Sequence, residues 1–214
     1  MRITRLKQAD FLVEAGGQRL GVDLGDFTSP ETTAALERVG ALIASHGHAD
    51  HYTAANVVAA DAPVAAPADV VAVLPAGVEA HTLRLGETLT LAGFEITPTL
   101  ADHGPKLSRP IENYGLVIEH QGRRVYYVGD MAVAVLPPPG TFNLVLVSLD
   151  GTGFVFDAEQ AAAFIRAIGH AGKVTPIHDG DGEEPVHAER FVELAAGFCK
   201  PVLVQPGESI DVEL

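Results

Sequence analysis

With 214 residues, 47% of them hydrophobic, the chain is long enough to bury a sizeable core, and one domain spanning 1–214 is expected. Its formal charge of −14 argues against a broad phosphate-backbone footprint, so no nucleic-acid partner is expected. No apolar run approaches the roughly 20 residues that cross a bilayer, so no membrane partner is expected either.

Residues 3–7, 11–15 and 19–23 read as short strands, with Gly16-Gly17 as a hairpin turn. Ser29-Pro30 opens a helix, serine as N-cap and proline at the first position. Leu36 and Val39 give that helix an apolar side, and Gly40 stops it. A buried strand follows at 41–44, then the polar turn Ser45-His46-Gly47-His48-Ala49-Asp50-His51-Tyr52. A short helix is predicted over 52–60, a strand between Pro63 and Pro67, and a helix over 68–74. Leu83, Leu85, Leu89 and Leu91 alternate around Gly86-Glu87, which predicts a hairpin. The alternation continues through Phe94, Ile96, Pro98 and Leu100 to Asp102-His103-Gly104. Residues 114–119 and 123–128 pair around Gln121-Gly122, and 144–148 is a continuous apolar run suited to a doubly covered strand. Asp157 with Gln160 forms a capping box for a helix through about residue 168, ended by Gly169. A strand at 174–177 leads to His178-Asp179-Gly180, a helix covers 185–196, and strands at 202–204 and 210–212 close the chain. Strand-rich blocks flanking helices imply a layered α/β sandwich.

The chemistry concentrates in the turn after residue 44. Three imidazoles and a carboxylate (His46, His48, Asp50 and His51) fall within six positions at a strand's carboxyl end, where α/β folds place their sites. His46 and His48, two apart, point to one side of an extended segment, so both can meet one ion at about 2.0–2.1 Å. Asp50 and His51 remain available for a second ion. His103, Asp130 and His178 each close a predicted strand and enter a turn. None is specific alone; parallel strands of one sheet would bring the three to one edge.

Together these residues resemble the metallo-β-lactamase-fold hydrolases over essentially the whole chain. His46-Gly47-His48-Ala49-Asp50-His51 matches that superfamily's His-x-His-x-Asp-His signature. His103, Gly129-Asp130 and Pro176-Ile177-His178 match its later signatures in order. Leu149-Asp150-Gly151-Thr152-Gly153 with its following capped helix is similar to the small bacterial branch that includes ascorbate-6-phosphate lactonase-like proteins. The resemblance implies a four-layer αββα sandwich holding two divalent ions. His46, His48 and His103 would hold one, Asp50, His51 and His178 the other, and Asp130 would bridge. Imidazoles with few carboxylates suit zinc, and manganese, iron or nickel fit the same set. The expected activity is hydrolysis of an ester, lactone or phosphodiester of a small anionic metabolite. A metal-bound hydroxide would attack, with Asp50 as the catalytic residue orienting it. The alternative is a non-catalytic metal-binding or ligand-sensing protein on the same fold.

The remaining candidates are subordinate. Lys106 and Arg109, basic residues just after His103, are candidate grips for a substrate anion. Asp23 is either a partner orienting a ligand histidine or a simple turn residue. Tyr52 and Asn113 are candidate pocket residues, Asp179 and Asp181 loop residues, and His81, His120, His170 and His187 lie outside the motifs. The single Cys199 precludes an internal disulfide and suits a reducing compartment. Met1 to Lys7 leads into Gln8, Asp10 and Glu14 rather than a signal-peptide core, so cytoplasm is the expected location. Oligomeric state is open at this level.

Overall fold

The computed structural model describes residues 1–179 and 186–214. Strands β1 (Arg2–Arg5), β2 (Phe11–Ala15) and β3 (Gln18–Val22) precede helix α1 (Pro30–Ala35). Then come β4 (Ala41–Ile43), α2 (Ala54–Ala60), β5 (Val64–Ala66), α3 (Ala68–Val71) and β6 (Ala80–Thr82). The second half contains β7 (Leu89–Leu91), β8 (Phe94–Leu100), β9 (Tyr114–His120), β10 (Arg123–Tyr127) and β11 (Leu144–Ser148). It ends with α4 (Ala158–Ala167), β12 (Lys173–Ile177), α5 (Val186–Ala195), β13 (Lys200–Pro201) and β14 (Ser209–Asp211). No helix of the described residues is long and apolar enough to cross a membrane.

The described strands form two sheets, ordered β14-β1-β2-β3-β4-β5-β6 and β13-β12-β11-β10-β9-β8-β7. In the first, β3 to β6 run parallel. In the second, β7 to β10 form an antiparallel meander and β10 to β13 run parallel. Side-chain alternation along each strand then builds the layers. Ala41 and Ile43 of β4, Leu116 and Ile118 of β9, Val125 and Tyr127 of β10, and Leu144 and Leu146 of β11 share one core between the sheets. The intervening Val117, Tyr126, Val145 and Val147 face outward onto α4 and α5, packing with Phe164, Ile165 and Phe191. Across the molecule, Leu42, Val64 and Ala66 pack with Val57 of α2 and Val70 of α3. Three cores between successive layers make the four-layer αββα sandwich. Truncating a side chain such as Leu146 to alanine should cost about 2–5 kcal/mol.

Several elements match their sequence cues. Ser29 caps α1 through its hydroxyl, and Asp157 and Gln160 form the reciprocal capping box of α4. The expected helix to Gly40 stops early: Leu36 is already extended, and Arg38 turns the chain at φ 59°. Gly40 N then donates to Arg19 O at 2.9 Å, so the segment is drawn off to start β4 beside β3. The expected hairpin around Gly86-Glu87 is a crossing between the sheets. β6 pairs with β5 in the first sheet, and β7 with β8 in the second. Leu83 is buried in the central core while Leu85 is exposed, so their alternation belongs to no single strand pair. The hairpin turn lies at Ala92 and Gly93, whose φ of 47° and 78° suit the twist of a two-residue turn. The strand expected at 202–204 is β13 instead, with Val202 N still donating to Val174 O at 2.8 Å. The expected start of the last helix at Pro185 lies outside the described residues, as do Gly180 and Asp181.

Candidate metal centre

The rim where strands of both sheets end carries the expected ligands. The turn after β4 folds back on itself, His51 N and Tyr52 N donating to His48 O at 3.0 and 2.9 Å. His103 follows β8, Asp130 follows β10 and His178 follows β12, three strands of like direction in the second sheet. His46–His51, which follows β4, meets them from the other sheet. Gly25 makes the junction close, since a Cβ there would fall 2.1 Å from the Asp50 carbonyl carbon.

Seven side chains converge in two groups, each with ligand atoms within 4.8 Å of one another: His46, His48 and His103, and Asp50, His51, Asp130 and His178. In the first, His46 Nε2 lies 3.0 Å from His48 Nδ1 and 3.2 Å from His103 Nε2. In the second, Asp130 Oδ2 lies 3.2 Å from His51 Nε2 and 3.4 Å from His178 Nε2. The same oxygen is 3.9 Å from both His46 Nε2 and His103 Nε2. Asp50 Oδ2 is 3.4 Å from His51 Nε2 and 3.3 Å from His178 Nε2.

The other ring nitrogens are held from behind. Asp23, fully buried, lies 2.9 Å from His51 Nδ1 and accepts from Ser45 N, the Ser45 hydroxyl and the Tyr127 hydroxyl. With its proton given to Asp23, Ser45 Oγ accepts from His46 Nδ1 at 3.0 Å. His103 Nδ1 donates to Phe154 O at 2.9 Å. The Gln8 carboxamide meets His178 Nδ1 at 3.2 Å, and Gln8 Oε1 is otherwise buried without a partner. Turning that oxygen to the ring satisfies both and leaves His178 Nε2 as the lone pair. Asp23 and His178 both sit at positive φ, 53° and 65°, a costly backbone for these residues that the site requires. Asn113 ties two ligand loops together, donating to Ala101 O and Asp130 O.

Charge divides the groups. Burial lowers His46 well below the ordinary imidazole range, the neighbouring His51 adding to it, and His48 is lowered by burial and by His103. Burial also opposes charge on His51 and His178, but Asp130 outweighs it; His51 is raised well above its usual value and His178 to about 10. For Asp130 and Asp50 burial is overcome by His178 and His51, which hold both carboxyls below their usual range. His51 Nε2 and Asp130 Oδ1 nevertheless remain buried without a hydrogen bond. Ring nitrogens aimed inward, unsatisfied polar atoms and five imidazoles with two carboxylates are a donor set that fits divalent transition metals.

A cleft of about 490 Å³ opens over these groups, walled by Gln8, Asp26, Phe27, Leu107, Asp150 and Phe154 beside the ligand side chains.

A model of the β-lactamase superfamily domain matches residues 11–178. The chain belongs to the β-lactamase superfamily. A metal-dependent hydrolase from Rubrobacter xylanophilus is 32% identical, over 98% of this chain and 96% of its own. Another from Pelotomaculum thermopropionicum is 28% identical, over 99% of this chain and 100% of its own. This superfamily member therefore sits in the family of those metal-dependent hydrolases. A solved metallo hydrolase from Ignicoccus hospitalis shares the metallo-β-lactamase fold, with a TM-score of 0.82 at 20% identity, over 100% of this chain and 98% of that one.

Within this superfamily fold, several secondary expectations change. Lys106 is exposed; its ammonium donates to Thr152 O and lies 5.8 Å from the Phe154 ring centre, pinning one loop to another. Arg109 is exposed too, and neither residue is among those that line the cleft. Tyr52 packs under α3 rather than in the cleft, its hydroxyl reaching Val73 O at 3.5 Å. Asp179 is no plain loop residue: it is buried and ion-paired with the buried Arg5, anchoring the His178 loop to β1. His81, His120 and His170 bond to Glu79, Gly93 O and Lys173 O, away from both groups. Sequence reasoning missed Gln8, Ser45 and Tyr127; only the polar Lys7-Gln8-Ala9-Asp10 turn between β1 and β2 offered a cue.

Proposed function

We propose that this chain is a binuclear, zinc-dependent hydrolase of a small ester, lactone or phosphodiester. His46, His48 and His103 would hold one ion, Asp50, His51 and His178 the other, with Asp130 shared. The observation that carries this is the place of Asp130 Oδ2, within 3.9 Å of imidazole nitrogens from both groups. Ions bound there supply an acidified water and a Lewis acid for the substrate's reacting oxygen.

The chain's own residues do the remainder. Asp50 is the more exposed carboxylate, 27% against 3% for Asp130, so it reaches the cleft and orients the attacking water. Held ionised by His178 and His51 against the opposing effect of burial, its carboxylate stays a hydrogen-bond acceptor that would orient that water at neutral pH. Phe27, Leu107 and Phe154 shield the reacting centre from bulk water. The partner is a small molecule met in the cytoplasm, since a charge of −14 disfavours long polyanions.

Metal analysis of the isolated protein, with a panel of chromogenic esters, lactones and bis-p-nitrophenyl phosphate, tests the reading. About two ions per chain and chelator-sensitive turnover are expected. A single ion per chain contradicts the binuclear assignment, and two ions with no turnover across the panel contradict the catalytic one.

A further inference from the structure

The cleft holds charge that the ligand groups do not use. Besides Asp50 and Asp130 its wall includes Asp26 and Asp150, and among the described residues no lysine or arginine lines it. Residues 180–185, outside the described part, contain neither residue type. The basic residue closest in sequence to the ligand His103, Lys106, gives its ammonium to Thr152 O instead.

Asp150 is aimed by its own loop. Its Oδ1 accepts from Thr152 N and Thr152 Oγ1, both at 2.7 Å. Its Oδ2 lies 3.8 Å from His178 Nδ1, and the residue is part of the cleft wall. Beside the polar Gln8 and Thr152, the wall carries apolar side chains: Ala49, Leu107, and two phenylalanines, Phe27 at 38% and Phe154 at 39% exposure. The Lys106 ammonium already lies 5.8 Å from the Phe154 ring centre, which leaves Phe27 as the open aromatic surface at the cleft mouth. Aromatic faces beside carboxylates attract cations and repel anions.

Resting on the hydrolase reading above, we infer that the site selects substrates without negative charge, favouring a cationic, ammonium-type group on an apolar chain. Asp150 is the specificity-determining residue. Asp26 and Asp150 together offset the positive charge that a pair of divalent ions leaves over after Asp50 and Asp130, so the cleft does not draw in anions. This replaces the anionic metabolite expected from sequence and disfavours phosphodiesters.

Two measurements on the metal-loaded protein test it. The 4-nitrophenyl esters of 4-(trimethylammonio)butyrate, valerate and glutarate form a matched cationic, neutral and anionic series. Their kcat/KM should fall in that order, by about tenfold or more from first to last. Asp150→Asn keeps the Oδ1 acceptor for Thr152 and should compress the ratio several-fold at unchanged metal content. Asp26→Asn, at an exposed position, should shift it the same way and serves should the first variant fail to fold. Calorimetry with benzyltrimethylammonium and phenylmethanesulfonate reads binding without turnover. The cation should bind more tightly, and Asp150→Asn should narrow the difference. Sulfonate binding as tightly as the cation, or a glutarate ester turned over as fast as the cationic one, overturns the inference. If the cation binds preferentially but no ester reacts, the hydrolase reading fails while the selectivity stands.

Discussion

His51 Nδ1 lies 2.9 Å from Asp23 Oδ2, and that contact decides which ring nitrogen of His51 faces Asp130 and Asp50. One buried carboxylate thereby orients two ligand histidines, His51 directly and His46 through the Ser45 hydroxyl. Tyr127, reaching across from the second sheet, fixes the same oxygen at 2.8 Å. The two sheets are coupled at the atom that sets the imidazole tautomers.

Asp23→Asn should therefore weaken metal without removing a ligand. Losing an orienting partner of this kind lowers affinity by about 10–100-fold. Competition with a chelating dye measures it; affinity within twofold of the parent would mean that Asp23 only builds the turn.

Metal uptake should expel protons unequally. His46 and His48 are depressed, so their group takes an ion without displacing protons from them. His51 is raised well above its ordinary value and His178 to about 10, so the other group is protonated at neutral pH. Filling it should release about two protons, and its affinity should climb with pH. Zinc titrations at pH 7 in buffers of different ionisation enthalpy read the count. Two equal, pH-independent binding steps would contradict it.

The pH dependence of the chelated protein follows from the same groups. A raised His178 stabilises the fold below its unfolded value of about 6.5, and that contribution is lost as pH climbs towards about 10. Asp10, pushed up to about 8 by burial, costs stability progressively as pH rises from about 3.9 to about 8. Depressed Asp50 and Asp130 stabilise above their unfolded value of about 3.9, a contribution lost on acidification. Thermal melts with and without metal should thus diverge between about pH 6.5 and 9. A constant difference over that range would mean the two histidines are neutral when metal is absent.

The candidate metal-holding cluster was legible in sequence because such a cluster constrains local spacing: His46, His48, Asp50 and His51 occupy one turn, and His103, Asp130 and His178 each follow a strand. The layers were legible too, through alternation in β9, β10 and β11. Their support was not. Tyr127 lies 104 positions from Asp23 and Gln8 170 from His178, separations at which no local pattern announces a contact. The Lys106 contact was hidden for the same reason, since its charge was visible while the Thr152 carbonyl that takes it was not. Leu83 and Leu85 mimicked one arm of a hairpin because alternation persists where a chain leaves one sheet for another.

The most direct test is the metal content of Asp130→Asn. Because Asp130 Oδ2 faces imidazole nitrogens of both groups, the substitution should weaken both ions together, by about tenfold or more each. Loss of one ion with the other held at parental affinity would show that Asp130 serves a single position, and the binuclear account would fall.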